Sequence, residues 1–245
     1  MPTQPPHPPP LPPPRVGKHS FRDIDDAPNG AGVYAWYAIA PIGRRDWEQN
    51  VINGHDTGAE AFLKLLSTHT KRFANVTLSV SATSSFTTNW QGSLEDQSIA
   101  ALATLLQGNA ASDANEKSLT TTINSCQLRE IFANTLNHSS PTLASPLYIG
   151  KAKCLNTRLR KHRDRISVLQ QRCIADPSYL SLPPETNIFA DRAVRLGLDD
   201  STLEVHTWDL TPYLQRGFSM KDLSHIARSL ELLLNRWHRP LLGRR

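Results

Sequence analysis

Between Pro146 and His162 the chain reads Pro-Leu-Tyr-Ile-Gly-Lys-Ala-Lys-Cys-Leu-Asn-Thr-Arg-Leu-Arg-Lys-His. The apolar Leu147-Tyr148-Ile149 stops at Gly150 and reads as a short strand. A basic helix follows, with Arg158 ten residues beyond Tyr148 and His162 one helical turn further on. A strand needs partners, and two other segments qualify. Ala31 to Ala40 (AGVYAWYAIA) is apolar and aromatic behind the turn signal Pro28-Asn29-Gly30, which predicts a buried strand. Leu203 to Trp208 alternates in the manner of a third.

The stretch from about Pro41 to Ser145 has a different pattern. Ala59, Phe62, Leu63, Leu65 and Leu66 recur at helical spacing, whereas Val76, Leu78 and Val80 alternate as in a strand. Ile99, Leu102, Leu105 and Leu106 suggest a second helix, and Gly108 to Ser118 a loop. A third helix is predicted from about Leu119 to Asn137, with Ile123, Leu128, Ile131, Phe132 and Leu136 inward and a break at Ser139-Ser140-Pro141. The last helix starts near Met220, buries Leu223, Ile226, Leu230, Leu233 and Leu234, and stops at Pro240.

The net charge of +5 is unevenly spread. From Lys151 to Arg172 there are eight lysines and arginines against one acid, Asp164, and such a cluster attracts polyphosphate in a salt-dependent way. Nine of the first fifteen residues are proline, which favours an extended, disordered tail over residues 1–20. A solvated tail is the expected reading; its Pro-x-x-Pro spacing, which suits an aromatic groove on a weakly bound partner, is the alternative. With no apolar signal core, no long apolar run and only three widely spaced cysteines, an intracellular, cytoplasmic protein with no membrane span is expected.

Three fragments together resemble the GIY-YIG nucleases: Gly32-Val33-Tyr34, then Tyr148-Ile149-Gly150 with Arg158 and His162 behind it, and Glu231 with Pro240 nine residues on. The resemblance implies an α+β fold, an α/β-type sandwich in which a small three-stranded antiparallel sheet is flanked by helices. The two tyrosine motifs would lie on adjacent strands. The nuclease-like domain would run over residues 21–245, interrupted by a mainly helical insertion at about 41–145. The implied activity is a divalent-metal-dependent DNA endonuclease, restriction- or defence-related, using Mg2+ or Mn2+.

Hydrolysing a phosphodiester requires a nucleophilic water, a base, positive charge on the phosphoryl oxygens and help for the leaving alkoxide. By resemblance, Tyr34 takes the water's proton and Tyr148 bonds the phosphate or nucleophile. A free phenol is ionised only about one part in a thousand at neutral pH, so Tyr34 needs nearby cations or metal-bound water to bring the two pKa values together, and Lys151 is the candidate cation. Arg158 offers a planar fork to the phosphoryl group, and His162, at i+4 on the same helical face, assists proton transfer. Glu231, a carboxylate in an apolar helical run, is the implied metal ligand. Lys151, Lys153, Arg160, Lys161 and Arg163 are the expected DNA contacts. Sheet packing for the tyrosines, a surface histidine and an exposed helix acid are the structural alternatives.

Tyr34 and Tyr148 are far apart in sequence, and Gly243 stands where the family often has asparagine. Specificity is expected from the 41–145 stretch or from a partner. Cutting both strands from one such site needs two encounters or a homodimer. The alternative function is a non-catalytic nucleic-acid-binding module that keeps the fold.

Overall fold

The computed structural model describes residues 11–40, 42–73, 82–83, 89–90, 114–181, 189–238 and 240–242. Its contacts divide the chain into Met1–Ile39 with Pro141–Arg245, and Ala40–Ser140.

The first unit is mixed α+β, built on one antiparallel sheet of β1 (Arg15–Ser20), β2 (Gly32–Ala38), β7 (Tyr148–Ala152) and β8 (Leu203–Asp209), in the order β1-β8-β2-β7. Strand β2 is central and buried on both faces, so its sequence is nearly continuous in apolar residues. It pairs with β7 with Tyr34 opposite Gly150 and Trp36 opposite Tyr148, and Leu147 N–H donates to the Trp36 carbonyl at 2.7 Å. This is hairpin pairing whose connection is the whole of Ala40–Ser140, and loop-closure entropy grows only slowly with such length.

The sheet has four strands where three were expected. The extra one, β1, lies inside the span assigned to a disordered tail. As an edge strand it is mostly exposed, so RVGKHS carries no apolar alternation to announce it. It is held to β8 by the Lys18–Glu204 ion pair at 3.1 Å and the His19–Thr207 hydrogen bond at 3.2 Å. The rest of the proline tail, residues 1–10, lies outside the described residues.

A helix covers each face. Helix α5 (Leu155–Ala175) buries Leu155, Leu159, His162, Ile166 and Leu169, one stripe at i, i+4, i+7, i+11 and i+14. Its first turn is fixed by Leu155 N–H to the Gly30 carbonyl and Asn156 N–H to the Pro28 carbonyl. Helix α7 (Met220–His238) opens on a Ser219–Asp222 capping box. It packs Leu223 and Ala227, with Leu230 and Leu234 beside them, onto Val33, Ala35 and Ile149. Ile226 and Leu233, expected inside, are 39% and 41% exposed, because the buried stripe is narrower than the apolar run. After Pro240 the chain turns back, and Leu242 N–H donates to the Leu147 carbonyl at 2.7 Å. The short helix α6 (Phe189–Arg195) adds Phe189 to the α5 side.

In the second unit α1 is Arg44–Trp47, α2 is Thr57–Phe73, α3 is Ala114–Asn124 and α4 is Cys126–Leu143. A two-residue hairpin joins β3 (Val51–Ile52) to β4 (His55–Asp56) through Asn53 and Gly54, both at positive φ. A second strand pair joins β5 (Ala82–Thr83) to β6 (Asn89–Trp90). Phe62, Leu66, Ile123 and Ala133 form the core. Fully buried Arg129 binds Asp56 at 2.7 Å and the carbonyls of Trp47 and Ile123. One predicted helix is two, broken at Ser125, and the second runs through Pro141 to Leu143. Leu128 and Ile131 are exposed rather than inward. Helix α3 begins at Ala114, inside the expected loop. The predicted strand at Val76–Val80 and helix at Ile99–Leu106 lie outside the described residues.

Candidate active site around Tyr34

Tyr34 sits in the middle of β2 with no exposed surface, and its hydroxyl is a meeting point. His162 Nε2 lies 2.8 Å from Tyr34 Oη, and Arg158 Nε–H donates to the same oxygen at 3.3 Å. The two partners come from adjacent turns of α5, as the i, i+4 spacing requires. The half-buried Tyr148 ring is 6.1 Å from that of Tyr34, centroid to centroid.

The glycine of the second motif has a physical reason. A Cβ on Gly150 would stand 2.5 Å from Tyr34 Oη and 2.8 Å from Tyr148 Cε1, so only glycine leaves the phenol its place. Gly32 is similarly constrained, since a Cβ there would lie 2.2 Å from the Trp208 carbonyl oxygen.

Burial sets the proton chemistry. It lowers the His162 pKa to about 3, helped by the Arg158 charge, so the imidazole is neutral at working pH. Trp36 and Phe189 supply that dry environment, with ring centroids 6.3 and 5.5 Å from the imidazole. A neutral ring protonated at Nδ1 presents Nε2 as acceptor for the Tyr34 proton. Burial and the Tyr148 phenol push the Tyr34 pKa far above its ordinary value, and Arg158 only partly offsets them. Burial also works against the Arg158 charge, but the oxygens of Tyr34 and Tyr148 outweigh it and raise its pKa.

Lys151 does not serve Tyr34 as expected. Side chains alternate across a strand, so Lys151 and Ile149 leave β7 on the face opposite Tyr148 and Gly150. The Lys151 ammonium donates to Glu231 Oε2 at 2.6 Å, on the α7 side. The expected residues therefore form two groups: Tyr34, Tyr148, Arg158 and His162 on the α5 face, Lys151 and Glu231 on the α7 face. Asn235 was not anticipated. Its amide donates to the carbonyls of Glu231 at 2.7 Å and Ile149 at 3.4 Å, tying α7 to β7. Its position one turn after Glu231 was the available signal. Gly243 lies outside the described residues.

Of the expected DNA contacts, Lys153 and Lys161 are exposed and make no ion pair among the described residues. Arg160 and Arg163 instead bracket Asp25 at 3.2 and 2.8 Å, and Arg163 also reaches Asp164 at 3.5 Å. Those two arginines pin α5 to the 3-10 turn Arg22–Asp26.

Among the described residues no group of three or more His, Cys, Asp and Glu side chains could hold a metal. Glu231 is a single half-exposed carboxylate whose Oε2 carries the Lys151 ammonium, leaving Oε1. That suits a divalent cation that keeps most of its waters and takes one carboxylate and a substrate phosphate. Compared with protein-family models, curated proteins and solved structures, the chain matches none. No helix among the described residues is long and apolar enough to cross a membrane.

Proposed function

We propose that this chain is a divalent-metal-dependent DNA endonuclease of the GIY-YIG type. The observation that carries the reading is the Tyr34 hydroxyl, held at once by Arg158 and by a neutral His162. A buried phenol is a poor base if it must ionise alone. It is a useful one when its own proton passes to a hydrogen-bonded acceptor as it receives another. Attacking water gives a proton to Tyr34 Oη while the Tyr34 proton moves to His162 Nε2, which the negative phosphodiester beside it makes a stronger base than burial alone leaves it. The water oxygen bonds to phosphorus, and the bond to the leaving alkoxide breaks in the same step. Arg158 offers its guanidinium to the phosphoryl oxygens and stabilises the charge that develops on them. Tyr148 orients the phosphate. Glu231, on the sheet face away from Tyr34, would hold Mg2+ or Mn2+, which would supply Lewis-acid stabilisation to a substrate phosphate that reaches round the β7 edge to it. A homodimer would let one site per copy cut each strand.

A non-catalytic nucleic-acid-binding module is the second reading. What favours it is the Lys151–Glu231 ion pair at 2.6 Å, which already satisfies one carboxylate oxygen, on the sheet face away from Tyr34. Nicking of supercoiled plasmid separates the two. The endonuclease reading predicts cutting by the wild-type protein with magnesium or manganese, none with chelator, and none by Glu231→Ala. Salt-sensitive DNA binding with no cutting by either protein would favour the module.

A further inference from the structure

On the α7 side of the sheet a concavity of about 510 Å3 gathers Lys151 and Lys153 with Lys221, Ser224, His225 and Arg228. The last four fall at i, i+3, i+4 and i+7 of one helix, so they form a single stripe facing the end of β7. The floor is made of small residues, Ala31, Ala152 and Ala227, which keeps it open. No lining residue carries a carboxylate. Lys153, Lys221 and Arg228 are exposed and make no ion pair among the described residues, in contrast to Arg160 and Arg163, which are bound to Asp25. Cations drawn together from β7 and a helix distant in sequence repel one another unless an anion joins them.

We propose that this concavity is a phosphate-binding subsite that seats the nucleic-acid backbone away from the scissile bond. The proposal rests on the nucleic-acid reading above and deepens it. The donors fit: two or three ammonium groups, one guanidinium able to grip two phosphate oxygens, and a hydroxyl. Glu231 lies one turn beyond Arg228, and Lys151 borders both the concavity and that carboxylate. A phosphate seated here is an alternative partner for the Lys151 ammonium.

The test is binding of a labelled short DNA duplex, followed by fluorescence anisotropy without divalent metal over a range of salt concentrations. Wild type is compared with Lys221→Ala/Arg228→Ala, whose exposed side chains can be removed without touching the core; circular dichroism checks that α7 persists. The double variant should bind about tenfold or more weakly, with a salt slope shallower by about 2. Equal affinity and slope in the two proteins would overturn the proposal, even if the wild type cuts plasmid. A parallel titration with inorganic phosphate separates the sources of the ligand. Phosphate binding that depends on Lys221 and Arg228, without duplex binding by the wild type, would keep the phosphate pocket. It would remove both its assignment to nucleic acid and the reading on which that rests.

Discussion

His162 Nε2 lies 2.8 Å from the hydroxyl of Tyr34, across 128 positions of sequence. The bond joins the central strand of the sheet to the helix that follows its neighbouring strand. Each partner is buried enough that neither carries charge alone at neutral pH. Both groups are buried, which distinguishes the pair from a free surface histidine beside a packed tyrosine.

The depressed His162 pKa makes stability pH-dependent. The unfolded imidazole titrates near 6.5, the folded one near 3, so the unfolded state binds more protons between those values. The stabilisation is complete above about pH 6.5 and is lost as pH falls towards 3. Between pH 7 and pH 5 the urea midpoint of the wild type should fall more than that of His162→Gln. His19, whose pKa burial also lowers, contributes equally to both proteins. Parallel curves would mean that His162 is not buried as a neutral group.

Gly150→Ala should disturb the site from the backbone outwards. The new methyl meets the Tyr34 phenol and the Tyr148 ring from a fixed strand position, and such overpacking costs about 1–3 kcal/mol. The melting temperature should fall, and plasmid nicking should fall more than the lost stability explains. A variant as stable and active as the wild type would remove the close approach as the reason for this glycine.

Arg158 is exposed and contributes little to the core, so its replacement should act on chemistry. Arg158→Ala is expected to lower turnover by about 100-fold or more with nearly unchanged denaturation. Arg158→Lys should not rescue it, because an ammonium cannot bond Tyr34 and grip a phosphoryl group with one planar fork. Full rescue by lysine would reduce Arg158 to a point charge.

Much of the framework was legible because burial on both faces writes a strong pattern. Continuous apolar residues mark β2, alternation marks β8, and the stripes of α5 and α7 follow helical spacing. β1 was not legible, since an exposed edge strand has no inward row to display. The splitting of the 114–143 region into two helices escaped because apolar periodicity continues across Ser125. Within the site, the i, i+4 spacing of Arg158 and His162 correctly puts both at Tyr34. The displacement of Lys151 was readable but overlooked: three positions after Tyr148 on one strand is the opposite face. Phe189 and the pocket cations Lys221 and Arg228 come from elements whose packing partners no local pattern names.

The central claim is that the Tyr34 hydroxyl takes part in cutting a phosphodiester, and Tyr34→Phe tests it most directly. The substitution keeps the ring and removes one oxygen; it takes this partner from the buried His162 Nε2, at a cost of about 1–3 kcal/mol, while the fold and duplex binding should persist. Single-turnover cleavage of a labelled duplex with magnesium should slow by about 100-fold or more. Cleavage at the wild-type rate would contradict the account and leave Tyr34 as a buried packing residue.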